Sequence, residues 1–429
     1  MRRVNWIPGR AVTIIAVAAC AVLSFMFDAR LIPVQGQTKS AGGFAAVPGE
    51  KGGQDLFGPY AVVPDWPKPM SQLPGHDKWT WGSVNGVYAQ DENRVFVVQR
   101  GEIPLVKRPA AQPVPQFGPA LSFPVSGVPF HNAGQGPVSA PLGPPDEPND
   151  WKGKYGVDGR WEHCLVVINA KGDIVESWTQ WDKTFKHPHA VYVNPYDPQK
   201  SVWVVDDYRH AVYKFSNDGE KLLLTLGTPN EPGDDEKHLN RPTFIAWLPD
   251  STMFLGDGYV NTRVVKYDKD GHYLMSWGQK GNPPNETRGG YFNTVHGVAV
   301  DPATRRVYVT DRENRRTEVF DENGKFLDQW SYGPVSSVYF IYLGTDKHLW
   351  AADATTSKIL EYDLQGHFLY SWGINGDWPG SLWGVHGMSV DPQGNLYVSE
   401  VEAGRVQKFQ PRKGANPEYV IGKPNGVGQ

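Results

Sequence analysis

Three histidines open alternating apolar runs in this chain: His189 in PHAVYV, His296 in VHGVAV and His386 in VHGMSV. Neutral imidazole suits zinc and related metals, and three such nitrogens with a position left open make a catalytic metal site. A lone histidine before a strand reads as a hydrogen-bonded turn residue. Three in one register read differently. The residues that open the innermost run of six repeated units are, in order, Asn85, His189, Thr243, His296, Ser336 and His386. Histidine occupies alternate units. In a six-membered ring those units lie a third of a turn apart, so the imidazoles can converge on the axis. His187 falls outside this register.

The second run of each unit should return to the same face. Its ends read Gln99-Arg100, Asp206-Asp207, Asp257-Gly258-Tyr259, Asp311-Arg312, Asp353-Ala354 and Glu400-Val401. The recurring acid fits a structural part, accepting backbone N–H groups of the adjoining turn. The departures carry chemistry. Arg100 and Arg312 suit bidentate binding of a carboxylate, although ion pairs with Glu102 and Glu313 also fit them. Tyr259 can exchange a proton if positive charge lowers its pKa from about 10. Together these residues point to a small-molecule or peptide substrate that carries a carboxylate.

The elements that must hold these residues recur along the chain. In the unit from 241 four alternating runs, Phe244–Trp247, Thr252–Leu255, Arg263–Tyr267 and Tyr273–Trp277, are separated by Asp-Gly type turns. Period-two alternation over four to six residues marks half-buried antiparallel strands, and four such strands repeated make a propeller blade. The expectation is an all-β, six-bladed β-propeller of NHL type, with four-stranded antiparallel blades, over residues 80–425. One unit is split into VNGVYAQDENRVFVVQRG and CLVVINAKGDIVESW. Between its halves lies a Pro/Gly-rich insert at 102–160, expected over the channel mouth where it can restrict water.

Composition agrees with many strands and turns: 47 Gly, 36 Pro and 12% aromatics in 429 residues. A net charge of −4 supplies no basic surface for nucleic acid. Arg2, Arg3 and Arg10 precede an apolar run from Ala11 to Phe27 and then QGQTKSAGG, the pattern of a signal peptide over 1–36. That makes the protein secreted or periplasmic, with no stable membrane insertion after processing; the run is also just long enough for a retained anchor. Residues 37–79 read as a lead-in. Cys20 and Cys164 are the two cysteines, so the mature domain has no internal disulfide.

The stretches NRPTFIAWLPDSTMFLGDGYVNTRVV, VHGVAVDP with VTDRENRR, and PHAVYV resemble peptidyl-α-hydroxyglycine α-amidating lyase, the lyase half of peptidylglycine amidating monooxygenase. The resemblance implies a six-bladed propeller that splits a peptidyl α-hydroxyglycine into an amide and glyoxylate. It implies His189, His296 and His386 as zinc ligands, Tyr259 as the catalytic tyrosine, and Arg100 and Arg312 as the active-site arginines. It also implies a structural calcium held partly by the carbonyls of Val87 and Val191. The chain departs from the family at Gly387, where an aspartate helps to hold that calcium, and at Val260, where a cysteine ties the tyrosine loop. The geometry alone leaves two alternatives: a metal-dependent lactone or ester hydrolase, and a non-catalytic NHL-type binding protein.

Overall fold

The computed structural model describes residues 54–105, 112–113, 122–123, 160–283 and 286–425. The expected signal segment and most of the 102–160 insert lie outside them. All described residues belong to one unit, Gly42–Gln429. Among them, no helix is long and apolar enough to cross a membrane.

Six antiparallel sheets form the blades. Blade one uses Val84–Asp91, Arg94–Gln99, Leu165–Ile168 and Ile174–Ser177. Blades two to five begin at Pro188, Ile245, Val295 and Val338, and each adds three further strands in sequence order. Blade six begins at Val385, and its innermost strand packs against that of blade one, which closes the ring.

The lead-in does more than precede the propeller. Tyr60–Val62 pairs antiparallel with Arg405–Pro411 and supplies the outer strand of blade six. Gln54–Asp55 adds a parallel fifth strand to blade five. Tyr60 is buried against Trp372, and its phenol oxygen accepts a bond from the Ile421 backbone N–H at 2.9 Å. Three residues are too few for periodicity to reveal as a strand, so composition alone left this closure unseen.

Valine, isoleucine and aromatic residues fill the space between blades because branched and flat side chains pack on a pleated surface. The tryptophan that ends one blade meets the turn glycine of the next. Gly324, at φ 80°, would drive a Cβ to 2.7 Å from the Trp277 ring. The same pairing recurs at Gly219 on Trp178 and Gly366 on Trp330. Glycine there satisfies both the left-handed turn and the close approach. This coupling explains why the Asp-Gly turns and the terminal Trp repeat together in the sequence.

Candidate active site

Each histidine sits where the inner strand carries one residue more than its neighbour. Register shifts fall at Val84/Gly86, Pro188/Ala190, Val295/Val298, Val338/Phe340 and Val385/Gly387. In blade three, bonds from Thr243 N to Gly256 O and from Gly256 N to Phe244 O give the same geometry. A β-bulge re-aims one side chain out of the alternation. Here it lets the three histidines converge.

The ring of bulged residues is therefore Asn85, His189, Thr243, His296, Tyr339 and His386. Five positions match the sequence reading and one corrects it. Ser336 lies three residues before the bulge, and Tyr339 holds the place. The Ser-Ser pair ahead of Val338 moved the expected strand start upstream. Counting back from Gly344, as one counts back from Asp301 to His296, would have found Tyr339.

The three imidazoles meet. Their centroids are 4.7–5.3 Å apart, and one nitrogen from each lies within 4.8 Å of the others. Each Nδ1 faces a main-chain oxygen of the next blade: Thr243 at 3.1 Å, Tyr339 at 2.6 Å and Asn85 at 2.6 Å for His189, His296 and His386. A carbonyl only accepts, so every Nδ1 carries hydrogen and every Nε2 presents a lone pair. Such outer bonds orient histidine ligands and raise their basicity. Burial holds all three pKa values down, His386 to about 3, so the rings are neutral. Phe244 packs against all three, 4.8–5.3 Å between centroids, and gives the site an apolar floor.

Tyr259 completes the cluster. Its Oη is 3.1 Å from His189 Nε2 and 2.9 Å from His296 Nε2. One phenol hydrogen can satisfy one of three buried acceptors, and His386 Nε2 meets no protein donor among the described residues. Three converging lone pairs short of hydrogen atoms fit a metal cation. Gly258 makes the approach possible. A Cβ there would lie 1.6 Å from the Val295 carbonyl oxygen, so contact, rather than backbone freedom, requires glycine.

Arginines surround the phenol. Arg312 lies 5.2 Å over the Tyr259 ring and 4.8 Å over Tyr339, and also pairs with half-exposed Glu313 at 2.9 Å. Arg100 is buried, its Nε has no partner, and burial lowers its pKa to about 10. Glu102 is turned elsewhere. A third guanidinium, Arg241, was missed by sequence reasoning because it sits in the loop before blade three. The backbone bond from Tyr259 N to Arg241 O brings it 4.4 Å over the Tyr259 ring. Asp207 holds Arg241 at 2.7 Å and also binds His187 Nδ1. His187 is thus a buried partner of a carboxylate and stays outside the three-histidine cluster. Burial raises the Tyr259 pKa, and Arg312, Arg100 and Arg241 only partly offset it. This corrects the expected direction: in the metal-free protein the phenol keeps its proton.

The recurring acids are structural. Asp206, Asp257, Asp311, Asp353 and Glu400 accept backbone N–H groups at the turn into each blade. Val87 and Val191 occupy matching places in adjacent inner strands, opposite Val97 and Val204. At Gly387, Ser399 Oγ lies 3.3 Å from the Gly387 oxygen and 3.4 Å from that of Asn85. Gly387 brings no carboxylate, so the calcium that the resemblance implies lacks that ligand here. Val260 is exposed, and Cys164 is a buried free thiol.

An NHL-repeat profile matches residues 382–409. NHL repeat-containing protein 3 of Mus musculus is 31% identical over 272 residues, 59% of this chain and 75% of that protein. The chain belongs to the NHL-repeat family. Peptidyl-alpha-hydroxyglycine alpha-amidating lyase 1 of Drosophila melanogaster is 29% identical over 293 residues, 63% of this chain and 53% of that protein. Peptidyl-glycine alpha-amidating monooxygenase A of Xenopus laevis is 30% identical over 263 residues, 58% of this chain and 27% of that protein. This NHL propeller thus spans about a quarter to a half of those two amidating relatives. The resemblance read from its motifs is borne out at that level of identity.

Proposed function

We propose that this NHL propeller is a metal-dependent lyase, with zinc held by His189, His296 and His386. It splits the C–N bond of a peptidyl-α-hydroxyglycine or related carbinolamide into an amide and glyoxylate. The observation that carries the reading is the place of Tyr259, whose Oη touches two of the three candidate ligands beneath guanidinium groups. Bound zinc would supply Lewis acidity that acidifies the substrate hydroxyl and the neighbouring phenol.

The chain's own residues account for the rest. Arg100 and Arg312 orient the substrate carboxylate and hold negative charge as glyoxylate forms. Tyr259, as the phenolate that a bound metal would favour, takes the hydroxyl proton at Oη; the carbonyl forms, the C–N bond breaks and the amide nitrogen gains a proton. No water is consumed. The Phe244 floor keeps the reacting atoms out of bulk solvent. Secretion or export follows, on this reading, from the basic and apolar segment at residues 2–27.

The test is glyoxylate and amide release from an N-acyl-α-hydroxyglycine by the purified full chain, run in ¹⁸O water. Equal yields of both products, with no label in the amide, are expected. No glyoxylate above the uncatalysed rate would overturn the proposal. Labelled acid from a lactone or ester would favour the hydrolase. Two relatives of which the chain spans 75% and 78% carry a name stating no reaction, which keeps a binding role as the second reading. Purified protein without bound metal would favour it.

A further inference from the structure

A second cluster of metal-ligating side chains lies at the base of the insert. Glu102 is fully buried and accepts two imidazole bonds, from His76 Nδ1 at 2.7 Å and His163 Nδ1 at 2.6 Å. A carboxylate only accepts, so both histidines carry hydrogen on Nδ1, and Nε2 is the ring nitrogen each has free of Glu102. The two rings are 4.5 Å apart between centroids. Glu162 faces them, with Oε2 3.7 Å from His76 Nε2, and Arg160 holds the same oxygen at 2.7 Å. Ligand atoms of His76, Glu162 and His163 all lie within 4.8 Å of one another.

From this we infer a second metal site in which His76, His163 and Glu162 bind a divalent transition metal, zinc by donor type, with Glu102 as the outer carboxylate. Two imidazole nitrogens and one carboxylate oxygen are a common zinc set. A buried carboxylate on the far nitrogen of each histidine is the usual support for such ligands. Charge agrees: the carboxylates of Glu102 and Glu162 share this pocket with one guanidinium, Arg160, and a bound cation offsets the excess.

The position suggests what the metal does. Glu102 and Arg160 exchange backbone bonds, each 2.7 Å, where the insert leaves blade one and returns. Trp79–Trp81, just after His76, pairs with Glu102–Pro104. The metal therefore staples both ends of the insert to the lead-in segment. Arg100 stands two residues from Glu102, so the staple also braces a candidate substrate arginine. The inference is independent of the lyase reading.

Metal analysis of the full chain after equilibration with Zn²⁺ tests it. Two zinc per chain are expected, falling to one in His386→Ala, to one in Glu162→Ala and to none in the double variant. Glu162 is half-exposed, so its loss leaves the fold intact. A parallel titration with Co²⁺ in the His386→Ala background should give visible d–d absorption that disappears when Glu162→Ala is added. One zinc in the wild type, unchanged by Glu162→Ala and by His163→Gln, would overturn the site. So would Co²⁺ absorption that persists in the double variant.

Discussion

The Nδ1–H of His296 donates to the main-chain oxygen of Tyr339, 2.6 Å away, so an imidazole of blade four is aimed by the backbone of blade five. The same device recurs from blade two to three and from blade six to one. Alternate blades supply the ligands, and the intervening blades orient them.

Tyr339 aims His296 through its backbone and stacks on Arg312 through its ring. Replacing it with Ala should leave metal content unchanged and raise KM several-fold, as expected for loss of a cation–π contact worth about 1–2 kcal/mol. Tyr339→Phe should change little. Loss of metal in Tyr339→Ala would show that the ring, and not the carbonyl, supports the ligand.

Tyr259→Phe removes the proton-exchanging atom and keeps the ring under its guanidiniums. Turnover should fall by about 10²–10⁴-fold, with metal content and KM nearly unchanged. Steady-state kinetics with metal analysis on the same sample decides it. A variant within tenfold of the parent rate would remove Tyr259 from the chemistry.

Closure of the ring depends on Tyr60. It fills the seam between blades five and six, and Tyr60→Ala should cost about 3–5 kcal/mol of stability. Phe57→Ala, at an exposed site in the same segment, should stay within about 0.5 kcal/mol. Denaturant unfolding of both variants checks the contrast.

Glu318 gives a pH dependence remote from the histidines. Burial raises its carboxyl from 4.5 to about 7 against the pull of the Gly290 N–H and Arg316. The native state then binds more protons than the unfolded chain between those values. Its contribution is full below about 4.5 and is lost as pH rises through about 7. Glu318→Gln should therefore gain stability over the parent as pH rises from 5 to 8, by roughly 3 kcal/mol at most. A gain that shrinks over this range would reverse the assignment.

How much of this was legible in the sequence depended on periodicity. Val298, Ala299 and Val300 announce a strand after His296, and the repeat made the three-blade register countable. Arg100, Arg312 and Tyr259 stood out as departures at the ends of the second strands. Arg241 lies in a loop without period, and only the fold carries it over Tyr259. Tyr339 was hidden by a displaced strand start, and Phe244 looked like ordinary core. Val62 and its neighbours form too short a run to show that the chain's beginning closes its last blade. The phenol's pKa was misjudged because sequence reveals charges nearby but not the burial that outweighs them.

Anomalous diffraction at the zinc edge from crystals of the zinc-equilibrated full chain tests the central claim most directly. The expected result is a peak on the channel axis equidistant from the Nε2 atoms of His189, His296 and His386, at about 2.0–2.1 Å from each. An axis without anomalous density, with the three imidazoles joined only through Tyr259 Oη, would contradict it.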